Sequence, residues 1–189
     1  MLFNSEIFIY LFLPVVLGIA FLLKRWQLPK ITTLWLVVAS AVFYGSARVD
    51  YLILLTTLTV FNFFWGELLL TYPFKKGKIL ALWFGIVINL GVLFYFKYSN
   101  FMLSNINAIW GTDYFLENII LPIDISFFIF QKIAYLVDSY QGKRDKTTLL
   151  DFSLFVMFFP QLIAGPIVYH KELMSQFKSP RMLSFNLND

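Results

Sequence analysis

The stretch LPIDISFFIFQKIAYLVDSYQG, residues 121 to 142, is an apolar run interrupted by Asp124, Gln131, Lys132 and Asp138. Ionisable side chains inside hydrophobic segments are expensive to desolvate, so each is a candidate for function. Asp124, Gln131 and Asp138 recur every seven residues and therefore fall near one helical face, with Tyr135 four residues beyond Gln131. Such a stripe could line a polar cavity, and Gln131 is read as a buried contact within it. Two readings stay open for the charges. Asp124 sits close enough to the start of the run to be wet, and the long stem of Lys132 can carry its ammonium to the opposite interface.

A second stretch, FFPQLIAGPIVYH at residues 158 to 170, is broken by Pro160, Gln161, Gly165 and Pro166 and ends on His170, the only histidine. Imidazole chemistry makes His170 a candidate general base. Its neighbours Lys171 and Glu172, where the chain leaves the apolar run, suit a solvated or structural role instead. The absence of cysteine excludes disulfides, thiolate metal sites and a cysteinyl acyl intermediate within the chain. GxxxxGK, GxSxG and HExxH patterns are also absent, so no metal site or bound cofactor is expected.

The elements that must position these groups follow from composition. Hydrophobic residues make up 59% of the 189, aromatics 20%, and charged residues only 14%. These values describe a membrane protein. Spans of about 20 apolar residues are expected at roughly Ile7 to Leu23, Ile31 to Ala47, Tyr51 to Leu70, Ile79 to Phe96 and Ile119 to Val137. The tight polar break around Arg48 and Asp50 separates the second from the third. The first span lacks a basic lead-in and a small-residue cleavage site, so it reads as retained rather than as a removed signal. Residues 99 to 118 suggest a separate interfacial helix, ended by Gly111, with Asp113 and Glu117 in the loop beyond.

Basic residues mark cytoplasmic loops because Lys and Arg resist translocation. Lys24, Arg25 and Lys30 follow the first span, Lys75, Lys76 and Lys78 the third, and Lys143, Arg144 and Lys146 the fifth. The N-terminus is therefore expected outside the cytoplasm. A full crossing by Leu149 to Val168 would put Lys171, Lys178 and Arg181 on the wrong side. A re-entrant hairpin avoids that conflict, and Pro160 with Gly165-Pro166 supplies the breaks for it. Irregular backbone at membrane depth must be sheltered by protein or a water-filled cavity. The fold class expected is an all-α polytopic membrane bundle forming a single membrane domain over residues 1–189. It has about five spans, a re-entrant hairpin and an interfacial helix. Topology accounts for the basic clusters, which leaves nucleic-acid binding unsupported.

Three stretches together resemble the membrane-bound O-acyltransferase superfamily, in its alginate O-acetyltransferase-like branch. They are ASAVFYGSARVDYLILLTTLTVFNFFWG at residues 39–66, NLGVLFYFKYSNFMLSNIN at 89–107, and the pair formed by residues 121–142 with FFPQLIAGPIVYHKELMSQF at 158–177. The sequence departs from the branch pattern at Asp124, where Gly is usual, and at Ile129, Ser139, Gln141 and Tyr169.

The resemblance implies acyl transfer across the bilayer from a cytoplasmic thioester, such as acetyl-CoA, to hydroxyls of an extracytoplasmic polysaccharide or cell-wall polymer. It also implies extracytoplasmic partner proteins and a bacterial inner membrane. The family's catalytic histidine lies well downstream of the AGPI segment; no residue here takes that position, and His170 matches only the HKE signature. The expectation is the N-terminal part of a longer acyltransferase. Gln131, Lys132, Asp138, Pro160, Gln161, Gly165, Pro166 and His170 would then line the substrate channel or the re-entrant floor. A transporter or channel component and a non-catalytic scaffold are the rival readings.

Overall fold

Pro14 decides how the first helix begins. It has no amide hydrogen to return to the preceding turn, and just before it the backbone widens into a π-helical turn, Phe8–Phe12, in which the Leu13 amide donates to the Phe8 carbonyl. The computed structural model describes residues 4–72, 75–114, 116 and 125–160. Among them are six α-helices: α1 (Leu13–Arg25), α2 (Pro29–Gly45), α3 (Val49–Thr71), α4 (Lys75–Trp110), α5 (Ile125–Gln141) and α6 (Leu149–Met157). Three helical stretches are long and apolar enough to cross a membrane: Phe8–Arg25, Val49–Thr71 and Gly77–Trp110. The 17-residue α2 is apolar but shorter. Many of their large side chains are exposed, among them Leu80, Ile109, Tyr10 and Phe64. That is the arrangement expected where the solvent is lipid rather than water.

The chain divides into two compact units, one of residues up to Phe63 with those from Arg144 onward, the other Phe64–Lys143. In the first unit α1 and α6 both pack on α2. Phe8, Phe12, Phe43 and Phe159 form a four-ring cluster whose centroids lie between 5.3 and 6.1 Å apart. Such tilted and edge-to-face pairs add modestly to the area that they bury. The Trp35 indole anchors α2 to α1 by donating to the Val16 carbonyl at 3.1 Å.

α6 begins at Thr148, whose hydroxyl accepts the Asp151 amide at 3.1 Å. Phe152, Leu154, Phe155, Val156 and Met157 are all buried, so protein surrounds the helix on several sides. It stops at Met157: Phe158 leaves helical geometry at ψ 106°, and helix resumes at Phe159 and Pro160, where a first turn tolerates the missing proline amide. Just past the break, Ser40 Oγ on α2 accepts the Phe159 amide at 3.3 Å. The same hydroxyl donates to the Leu36 carbonyl at 2.8 Å. Buried Thr59 and Asn62 likewise donate to carbonyls one turn back, at 2.6 and 2.8 Å, which is how polar groups are satisfied where water is scarce. The remainder of the expected hairpin, residues 161–168, lies outside the described residues.

The expected division between a fourth span and a separate interfacial helix is corrected. α4 runs unbroken for 36 residues. No proline interrupts residues 79 to 110 and no glycine falls between Gly91 and Gly111, so the polar segment simply continues the apolar helix. At ~1.5 Å per residue α4 is longer than a ~30 Å hydrocarbon core, and its C-terminal turns extend beyond it unless the helix is strongly tilted. Gly111 does end it, in the left-handed region at φ +65°. Asn107 then holds the exit: its Nδ2 donates to the Tyr114 carbonyl, and its Oδ1 accepts the Thr112 hydroxyl and the Tyr114 amide.

Candidate functional site

In the second unit α5 packs on α4. Its buried residues are Ile125, Phe128, Ile129, Gln131, Lys132, Tyr135, Leu136 and Ser139, recurring at helical spacing on one side. Gln131, Lys132, Tyr135 and Ser139 therefore form a polar stripe within an apolar helix face. Ser139 Oγ donates to the Tyr135 carbonyl at 2.7 Å.

The stripe is buried because a small residue lies opposite. A Cβ built on Gly66 of α3 would run into the Tyr135 ring and come within 3.1 Å of Ser139 Oγ. Small residues at helix contacts let two backbones approach closely in membranes. On α4, Gly85 accommodates Leu136 and Trp65 in the same way. One turn on, buried Asn89 donates from Nδ2 to the Gly85 carbonyl at 2.8 Å.

Lys132 stands apart energetically. It is fully buried at 0% exposure, and its Nζ has no hydrogen-bond partner among the described residues. Its ammonium lies 5.2 Å from the centroid of the Phe128 ring. A cation over an aromatic face recovers part of the desolvation cost, about 0.5–2 kcal/mol, against several kcal/mol for withdrawing an ion from water. The side chain therefore does not reach outward to an interface. Polar groups of this kind can orient a ligand or complement its negative charge.

The expected site residues fall out unevenly. Gln131 and Lys132 are together on the buried side of α5, while Asp138 is half-buried at its margin. Pro160 is exposed and belongs to the other unit. Asp124, Gln161, Gly165, Pro166 and His170 lie outside the described residues. Asn89, Ser139 and Gly66 join the buried arrangement without having been marked as site residues. An asparagine in the middle of an apolar run and a serine four residues after Tyr135 were the available signals.

Comparison with known proteins identifies the family. The model of the membrane-bound O-acyltransferase family matches residues 71–186, more than half of the chain. The chain is 41% identical over 205 residues to a peptidoglycan O-acetyltransferase of Helicobacter pylori, covering 94% of this chain and 39% of that protein. It is 42% identical over 184 residues to the probable alginate O-acetylase AlgI of Pseudomonas aeruginosa, covering 94% of this chain and 34% of the relative. For the probable alginate O-acetylase AlgI of Pseudomonas putida the identity is 40%, covering 95% and 37%. The chain thus spans little more than a third of the length of the curated relatives it matches. No solved structure is significantly similar to it. With its long apolar helices and the match over most of its C-terminal two thirds, the chain belongs to the membrane-bound O-acyltransferase family.

Proposed function

We propose that the chain forms the N-terminal part of an enzyme that moves an acetyl group from a cytoplasmic thioester, acetyl-CoA or a similar donor, to hydroxyls of an extracytoplasmic polysaccharide or cell-wall polymer. The observation that carries this reading is identity of about two residues in five, over nearly all of the chain, to a peptidoglycan O-acetyltransferase and to probable alginate O-acetylases. The buried stripe of Gln131, Lys132, Tyr135 and Ser139 supports it. In this reading Gln131 and Lys132, with Asp138 at the margin, form part of the wall along which substrates meet. Pro160, Gln161, Gly165, Pro166 and His170 are assigned in the same proposal to the re-entrant segment. The base that deprotonates the acceptor hydroxyl comes from protein beyond residue 189, and proton transfer of that kind supplies about 10²–10⁴-fold. Partner proteins deliver the acceptor on the outer side.

The test is acetyl transfer in cells. Deleting the gene is expected to remove radiolabelled O-acetyl groups from exopolysaccharide or peptidoglycan, and re-expression of the gene to restore them. Unchanged polymer acetylation accompanied by altered solute uptake would replace this reading with a transporter. Unchanged values of both would leave a scaffold.

The same proposal fixes an orientation in the bacterial inner membrane: a single membrane domain with the N-terminus outside, five crossings, and a re-entrant hairpin that returns to the cytoplasm. Residues 1–189 contain no cysteine, so Lys178→Cys, made in a protein cleared of any cysteine elsewhere, gives a single label site. Cysteine 178 is expected to resist a membrane-impermeant maleimide in intact cells and to react after lysis. Labelling in intact cells would overturn the hairpin.

A further inference from the structure

Leu80, Val87, Phe94 and Phe101 recur every seven residues along α4 and fall near one side of it, and Ile109 returns to within about 20° of Leu80. All five are exposed, Leu80 by 71% and Ile109, near the far end, by 75%. The buried residues of α4 lie on the opposite side, at Gly85, Asn89 and Leu93, and past Leu93 no residue of the helix is buried among the described residues. The apolar stripe therefore outlasts the protein contact. From Leu80 to Ile109 it runs roughly 44 Å at ~1.5 Å per residue, against a hydrocarbon core of ~30 Å.

Where the packed side of α4 ends, two asparagines take it over. Asn100 and Asn107 stand seven residues apart on that side. Asn100 Nδ2 donates to the Leu116 carbonyl and its Oδ1 accepts the Leu116 amide, both at 3.2 Å, and Asn107 makes the same pair of bonds with Tyr114. Ser104 Oγ and Asn105 Nδ2 both donate to the Phe101 carbonyl at 2.8 Å. Polar side chains satisfied on nearby backbone enter lipid at reduced cost. The last turns of α4 thus combine an apolar side with polar groups that already have partners. Their stripe is unbroken with the surface that Leu80, Val87 and Phe94 turn to lipid, and this continuity identifies what covers its outer part: the same bilayer.

We propose that α4 crosses the membrane at a steep tilt, so that Phe101, Met102 and Ile109 remain in lipid and Trp110 lies at the far interface. A tilt of about 40°, the upper end of the range for membrane helices, shortens the projection of the stripe to roughly 34 Å and brings Ile109 to the edge of the core. Trp110 and Tyr114, both exposed, then fall where aromatic side chains anchor among headgroups. The assignment is independent of acetyl transfer.

The test places a nitroxide on Phe101→Cys, Ile109→Cys or Asp113→Cys, one at a time, in full-length protein cleared of other cysteines and reconstituted in vesicles of phosphatidylethanolamine and phosphatidylglycerol. Collisions with oxygen, which concentrates in hydrocarbon, are compared with collisions with a water-soluble nickel chelate. Oxygen is expected to dominate at 101 and 109 and the chelate at 113, so the ratio of the two reverses between 109 and 113. Chelate access at 109 equal to that at 113 would stand the end of α4 in water and overturn the proposal. If neither reagent reaches 101 and 109, protein covers the stripe and the proposal fails as well. Both positions are exposed, so insertion is expected to survive the substitutions, and Met102→Cys supplies the same reading if one of them does not insert.

Discussion

Gly66→Ala is expected to destabilise the second unit, although alanine is the better helix former. The exchange gains about 1 kcal/mol of helix propensity. Against this, the new Cβ runs into the Tyr135 ring, which is buried at 2% exposure and has little room to turn aside. Overpacking of this kind costs about 1–3 kcal/mol, so the net loss should be up to about 2 kcal/mol, and Gly66→Leu should prevent the purified protein from accumulating folded. The measurement is the midpoint of thermal unfolding in detergent. Truncating the ring should relieve the clash, so Gly66→Ala combined with Tyr135→Leu is expected to lose less than the two single changes added together. A raised midpoint for Gly66→Ala would mean that α3 and α5 do not meet at this glycine.

Lys132→Met is expected to separate stability from function. Methionine keeps the length of the side chain and removes an ammonium that is fully buried and without a hydrogen-bond partner among the described residues. Methionine removes the desolvation cost of an unpaired buried amine, so the unfolding midpoint should rise. If Lys132 complements negative charge on a substrate, the same change in the full-length enzyme removes a charge-assisted hydrogen bond, worth about 1.5–3 kcal/mol, and acetyl transfer should fall roughly 10- to 100-fold. A lowered midpoint would reveal a carboxylate partner and assign Lys132 to the structure. Unchanged transfer at a raised midpoint would remove it from the site.

The first expectation depends on a contact between residues far apart in sequence and the second on how deeply one side chain is buried, and both mark the limit of reading from sequence alone. Hydropathy exposed the membrane-crossing character of Phe8–Arg25, Val49–Thr71 and Gly77–Trp110, because covering a hydrocarbon layer is a property of each segment by itself. Glycine chemistry likewise ended α4 at Gly111, and the polar break expected around Arg48 and Asp50 falls at residues 46–48, between α2 and α3, with Asp50 in the first turn of α3. The motifs carried the family for the same reason, since each is contiguous. Helix continuity across residues 97–100 was not legible. Polar composition there suggested a new element, although nothing in the residues breaks a helix.

The fates of individual polar side chains were decided in three dimensions. Sequence left Lys132 free either to be buried or to reach an interface, and packing of α5 against α4 buried it. The seven-residue spacing grouped Asp138 with Gln131, but the buried side of α5 turned toward Gln131, Tyr135 and Ser139 and left Asp138 at its margin. The Phe159 amide found Ser40, 119 residues away. A sequence by itself determines where the chain prefers hydrocarbon and where its backbone must break. Only the tertiary structure decides which polar group satisfies which, because desolvation is set by neighbours that the local sequence does not name.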